Sequence, residues 1–299
     1  MSTSVTPDIN PLFRAAHDQS ERKTFREKFD KQPFLFHHRL SEEPLFEFPA
    51  IRALADRLPG KVHFNGDLAV DKGWKDSTAK KVSFQESLDQ LAQGQSWIIL
   101  KKVHEDRDYA VFMRECLREV EEMAGKRLEP LIESRTMSLI LSSPNQVTPY
   151  HVDADCNFLV QIRGRKMFYV FDGRDRSILT QEEEEAFWGG DISAAKFREE
   201  IQSKAWSYQM EPGNGVHVPV MFPHWVKNDN NISVSLSMNF RFNGSIYGDV
   251  HRANRILRKV GIRPGDAGKS AVADSVKAFL VGKPRAGVQK IRKLRNRAS

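Results

Sequence analysis

The chain of 299 residues contains only two cysteines, Cys116 and Cys156. That excludes a disulfide scaffold and fits a reducing compartment. Long apolar runs are missing as well. Stretches such as Trp97-Ile98-Ile99-Leu100 fall far short of the ~20 residues that cross a bilayer. The opening residues, Met1 to Asp8, lack a basic segment followed by an apolar core, so no secretory leader is expected and a cytoplasmic location is. No internal repeat or low-complexity block breaks the pattern. The apolar fraction of 40% and a mean hydropathy of −0.52 suit an ordinary soluble protein with a core.

Charge is present but unevenly placed. The net formal charge is +7, and residues 250–299 hold fourteen Lys and Arg against two acids, Asp266 and Asp274. The tail therefore carries the basicity and the rest of the chain is slightly acidic. Such a tail can meet nucleic acid or another anionic surface. Phe279 is its one aromatic, which argues against single-strand binding by base stacking. A solvated helical tail or a dimerisation element is the favoured reading.

Apolar periodicity predicts helices over Phe46–Leu58, Phe84–Leu91 and Tyr109–Met123, with Ser83 and Glu86 spaced as a capping box. Strands are predicted over Gln32–His38, Trp97–Val103, Met137–Leu141, two runs between Asn157 and Phe171 broken at Gly164, and Ile232–Phe242. Gln181–Trp188 and Ile192–Trp206 read as helices inserted between core strands. Glu182 to Glu185 suggest a solvated face, and the insertion, 174–208, could cover a site as a lid hinged at Trp188-Gly189-Gly190. Helices over Val250–Val260, Lys269–Leu280 and Val288–Leu294 are expected to close the chain. Adjacent His37 and His38 point opposite ways on a strand and cannot easily share a metal.

Chemistry concentrates at Thr148-Pro149-Tyr150-His151-Val152-Asp153 and at Pro223-His224-Trp225. Residues i and i+2 of a strand face the same way, so His151 and Asp153 can reach one ion from one strand. Two imidazoles and a carboxylate, with His224 as the third ligand, are the set that holds one face of an Fe(II) ion and leaves other positions open. Each of these segments borders apolar β structure.

Over Met137 to Phe242 the chain resembles the JmjC family of cupin-type Fe(II)/2-oxoglutarate-dependent oxygenases, and within it the peptidyl asparaginyl hydroxylases. Thr148, three before His151, and Lys166, fifteen after it, match residues that bind the distal carboxylate of 2-oxoglutarate in the family. Asn157, six after His151, and Asn239, fifteen after His224, match two asparagines near the cosubstrate. An ammonium on an otherwise apolar strand is costly without an anion, which gives Lys166 an independent reason to be there. Arg241 departs from the pattern, standing where an aromatic is expected. So do Cys156, His217 and the charged segment 174–208.

The resemblance implies a mainly β fold with flanking helices, a double-stranded β-helix core of the jelly-roll kind. It implies a catalytic domain over 1–249, with the ligand-bearing core at 137–242, and a basic helical extension over 250–299. The expected activity is hydroxylation of a C–H bond in a peptide, protein or small molecule, consuming 2-oxoglutarate and O2 and releasing succinate and CO2. Tyr150, Trp225 and Arg241 are candidates to line the substrate side, and a homodimer through the C-terminal helices is an analogy-based expectation. Two rivals remain: a metal cupin that does not use 2-oxoglutarate, and a cupin-fold binding protein that uses its basic tail.

Overall fold

The computed structural model describes residues 12–13, 18–66, 70–71, 84–94, 96–243 and 246–281. Seven strands form the larger sheet: β1 (Phe34–His37), β2 (Val62–Gly66), β3 (Ser96–Leu100), β4 (Ile132–Ser142), β6 (Cys156–Arg163), β9 (Asn214–Val218) and β11 (Ser233–Phe242). Their order is β1-β9-β6-β11-β4-β3-β2. The smaller sheet contains β5 (Val147–His151), β7 (Lys166–Val170), β8 (Trp206–Met210) and β10 (His224–Asn228), in the order β5-β10-β7-β8. All pairings are antiparallel. From β4 onward the chain winds from sheet to sheet, staying in the smaller one only between β7 and β8. This is the double-stranded β-helix.

The central strand of the larger sheet, β11, is polar towards the other sheet. Along β11, Val234, Leu236, Met238 and Phe240 point outward and join a core with Phe25 and Phe29, with Ile51 and Leu54, and with Met113, Cys116 and Val120. Helices α1 (Gln19–Lys28), α2 (Phe48–Arg57), α3 (Phe84–Gln93) and α4 (Arg107–Ala124) cover that face. The alternate residues Ser235, Ser237, Asn239 and Arg241 therefore face inward, because side chains alternate along a strand. Space between the sheets is partly filled by Leu159, Val216 and Val218 from one side and Phe168, Val170 and Val226 from the other. Gly164 turns β6 into β7 at φ +70, and a Cβ there would come within 2.5 Å of the Ile232 carbonyl oxygen.

Several predicted boundaries shift. The proposed helix at Ile192–Trp206 is instead a turn region followed by a short 3-10 helix, Glu199–Lys204, leading into β8. Ser83 and the predicted helix Val288–Leu294 lie outside the described residues. The last described helix covers 271–281, overlapping the predicted Lys269–Leu280. The expected domain division at 249/250 falls inside α6 (Tyr247–Lys259).

The glutamate run is only partly a solvated face, with Glu182 exposed and Glu184 and Glu185 turned inward. It lies on α5 (Gln181–Trp188), which Thr180 and Glu183 start with a capping box. Glu184 and Glu185 are 1% and 2% exposed. Glu184 accepts from Arg176 (2.7 Å) and from the Tyr247 hydroxyl. Arg258 donates to Glu185 (2.8 Å), while Arg252 and Arg255 donate to the Trp188 and Ala186 carbonyls at the end of α5. Three cations of the basic tail thus fasten α6 to α5, two of them by satisfying late carbonyls of that helix. Removing Glu184 leaves the largely buried Tyr247 hydroxyl without its acceptor and the half-exposed Arg176 without its carboxylate. Glu184→Ala is expected to lower stability by about 2 kcal/mol, read from urea unfolding. A loss below ~1 kcal/mol would place that anchorage within the range of surface ion pairs.

Candidate metal centre

The strand carrying the first histidine is irregular, and the irregularity builds the site. In the β5–β10 register, His151 opposes His224 and Thr148 opposes Val226. Three steps on β5 thus match two on β10, which is a bulge at Pro149–Tyr150. Proline has no N–H to give a ladder, so it suits such a position. The Tyr150 N–H donates instead to the Val70 carbonyl (3.0 Å). Without the bulge, residues 148 and 151 would face opposite ways. With it, Thr148 and His151 both face the barrel interior.

Asp153 lies just beyond the strand. β5 ends at His151, and the Asp153 carbonyl accepts from the Met221 N–H (2.9 Å), tying the turn after β5 to the turn before β10. The i, i+2 spacing predicted one strand for both ligands; the structure uses a strand end and a turn. His151 Nδ1 lies 2.7 Å from the Pro149 carbonyl, and His224 Nδ1 lies 2.9 Å from the Phe222 carbonyl. A carbonyl can only accept, so each Nδ1 carries the proton and each Nε2 presents a lone pair. Those Nε2 atoms stand 3.9 and 3.7 Å from Asp153 Oδ2. One ligand atom from each of the three residues lies within 4.8 Å of the others, close enough to share an ion. Burial, with help from nearby His151, pulls the His224 pKa down to about 4 and keeps the ring neutral, as a ligand must be.

Asn157 and Asn239 pair directly across β6 and β11. Asn157 Nδ2 donates to Asn239 Oδ1 (2.7 Å) and Ser237 Oγ (2.8 Å), and Asn239 Nδ2 donates to Ser237 Oγ (3.0 Å). The serine oxygen accepts twice, which leaves its own proton to donate. Sequence reading passed over Ser237, although the Ser-x-Ser-x-Ser-x-Asn alternation of β11 marks a polar strand face. Ser237 and Asn239 line a cavity of about 660 Å³ with His151, Asp153, Phe187 and Ile192. The insertion thus contributes a wall through Phe187 and Ile192.

Lys166 opposes Asn228, Phe168 opposes Val226, and Val170 opposes His224. All therefore share the inner face with the histidines. Lys166 is 3% exposed, and burial pulls its pKa down to about 7. Among the described residues no carboxylate is paired with it. Arg241 lines the cavity and donates to Asp155 (2.7 Å), yet burial keeps the Asp155 pKa above its usual value.

Tyr150 and Trp225 are not on this wall. The alternation that turns His151 and His224 inward turns them outward. Tyr150 packs edge-on against Phe171, and Trp225 stacks on Tyr169 at 4.3 Å and donates to Gln202. Residues 172–205 cover this apolar outer face of the smaller sheet. Cys156 is fully buried on the outer side of β6, 3.9 Å from His217 Nδ1, with its thiol pKa pushed well up by burial.

A family model described as a cupin-like domain matches residues 56–245. The fold is similar to that of YcfD, a ribosomal oxygenase from Escherichia coli, with TM-score 0.51 and 16% identity over 87% of this chain and 61% of that one. A second structure of E. coli ycfD gives TM-score 0.54 and 14% identity, covering 87% and 62%. A third, of YcfD in complex with cobalt and 2-oxoglutarate, gives 0.51 and 18%, covering 83% and 59%. This chain spans about three fifths of the length of those structures. No curated protein matches the sequence. Among the described residues, no helix is long and apolar enough to cross a membrane.

A cation whose folded pKa is about 7 against 10.5 unfolded costs stability. The unfolded chain binds more protons between those values, so the penalty is full below pH 7 and fades as pH rises towards 10.5. Lys166→Met should therefore raise the urea midpoint of the ligand-free chain at pH 6.5, with the advantage shrinking by pH 10. An equal midpoint at pH 6.5 would mean that the ammonium is already compensated.

Proposed function

The chain belongs to the cupin-like domain family, and from that premise we propose that it is an Fe(II)/2-oxoglutarate-dependent oxygenase. One observation carries the reading: a buried ammonium, Lys166, faces into the same barrel as a three-residue ligand set of two imidazoles and a carboxylate. A metal cupin that did not use 2-oxoglutarate would need the ligands but has no use for the cation. A dicarboxylic acid that chelates a metal at one end needs both.

In this reading His151, Asp153 and His224 would hold iron, which when bound would supply the O2 activation needed to oxidise an unactivated C–H bond, with 2-oxoglutarate converted to succinate and CO2. The protein supplies orientation and dryness. Pro149 and Phe222 carbonyls fix the two imidazole tautomers so that both lone pairs face Asp153. Lys166 supplies the charge for the far carboxylate, in a setting where a charge-assisted bond is stronger than in water. Thr148 shares its inner face and offers a hydroxyl. Asn157, Asn239 and Ser237 form one hydrogen-bonded unit; Ser237 and Asn239 reach the cavity wall, and the serine hydroxyl keeps a proton to donate.

The substrate side is the open cavity beyond Asp153, bordered by Arg241, Phe187 and Ile192. We assign hydroxylation as the outcome and a peptide or protein side chain as the target. The support is a second cavity of about 630 Å³ that shares Ala154 and Arg241 with the first, space that a chain extending beyond one residue can use. A cytoplasmic location suits the two buried free cysteines. Val272, Val276 and Phe279, exposed on the helix over 271–281, support pairing of two chains at that end.

The direct test is anaerobic absorption with Fe(II) before and after adding 2-oxoglutarate. The native chain is expected to develop a metal-to-ligand charge-transfer band, and His224→Ala to lose it. An iron-loaded native chain without the band would remove 2-oxoglutarate from the reading and move other cupin chemistry ahead.

A further inference from the structure

Asn228 ends β10 directly opposite Lys166. One end of its side-chain amide lies 2.6 Å from the carbonyls of both Ser143 and Asn231, and 3.4 Å from that of Ser142. Carbonyls only accept, so this end is the NH2 group and the orientation of the amide is settled. The other end, Oδ1, is buried and has no donor within hydrogen-bond distance, in a residue 2% exposed. A buried acceptor without a donor is uncommon in folded proteins and calls for a reason.

Across the strand boundary lies the complementary deficit. Lys166 carries three N–H donors, no acceptor and no carboxylate partner among the described residues. The two side chains share a face and a register position. The amide is also rigid, since its NH2 joins the end of β4 to the turn between β10 and β11. A lysine stem has four rotatable bonds and loses considerable freedom when one rotamer is chosen. A fixed acceptor on the same face can hold that rotamer once a ligand draws the ammonium towards it.

We propose that Asn228 is a positioning residue for the cosubstrate cation: when a 2-oxo diacid binds, its Oδ1 accepts one ammonium proton of Lys166 and directs the remaining two towards the distal carboxylate. The inference rests on the 2-oxoglutarate reading above. Asn228 touches neither the metal nor the cosubstrate and acts through Lys166. Its other role, holding the turn through the NH2 group, is structural, and the two roles separate by experiment.

The test compares two 2-oxo acids on the iron-loaded chain without oxygen, each titrated by its charge-transfer band. 2-Oxoglutarate has the distal carboxylate; 2-oxobutyrate does not. Asn228→Ala is expected to weaken 2-oxoglutarate about tenfold, the size of one charge-assisted hydrogen bond, and to leave 2-oxobutyrate within twofold. In a Lys166→Ala background the same substitution should change neither. Equal weakening of both acids, or undiminished weakening without Lys166, would overturn the proposal and leave Asn228 a turn residue. Should Asn228→Ala not fold, Asn228→Gln keeps the amide and displaces Oδ1 by one bond; the same selective loss is expected. A native chain that binds both acids alike, and is indifferent to Lys166→Ala, has a different signature: it removes the cosubstrate reading itself and this proposal with it.

Discussion

The pairing of His151 with His224 across β5 and β10 is the constraint on which the rest of the centre depends. Two imidazoles on adjacent strands can converge only if both face inward and their ring tautomers are fixed. The bulge at Pro149–Tyr150 meets the first condition for Thr148 as well, and the Pro149 and Phe222 carbonyls meet the second. The Asp153 carbonyl, held by Met221, brings the carboxylate to the same point from outside the sheet. Each ligand is therefore set by backbone bonds rather than by side-chain packing, which is a rigid way to build a site.

Around this centre the usual polarity of a sheet is redistributed. The larger sheet gives its apolar face to the helices and its serines and asparagines to the interior. The smaller sheet gives its aromatic face to the segment between β7 and β8. What remains between the sheets is a short apolar plug at Phe168, Val170, Leu159 and Val226, and a cavity lined in part by Ser237, Asn239, His151 and Asp153. Lys166, buried on the inner face of β7, works against folding in the empty chain. The cost is of the kind expected where a site is organised ahead of its ligand.

The charged insertion and the basic tail, which look like separate features along the chain, turn out to be one structure. Arg252, Arg255 and Arg258 of α6 face Trp188, Ala186 and Glu185 of α5. These side chains are engaged inside the protein, so they are not free to serve the tail as an anion-binding surface. The insertion also seals Tyr150 and Trp225 under Phe197, which explains why these two aromatics adjoin the ligands in sequence yet serve the packing of the outer face.

Most of the element plan was legible along the chain, because 3.6- and 2-residue periodicities survive tertiary packing. The α4 helix, β11 and the break at Gly164 all follow that logic. The ligand types were legible too, since two histidines and an aspartate at the edges of apolar strands suit only a few chemistries, and resemblance to a known family singled out Thr148 and Lys166. Direction was not legible. Whether Thr148 faces with His151 depends on a bulge, which inverts parity without altering the residue pattern. Whether Glu184 is solvated depends on a helix more than sixty residues later. Whether Tyr150 and Trp225 meet a substrate depends on what covers the far face of their sheet. The sequence by itself determined which groups could bind a metal and an anion, because that follows from side-chain chemistry. Only the tertiary structure decided which of them share an interior, because that depends on strand register and on contacts between residues far apart in the chain.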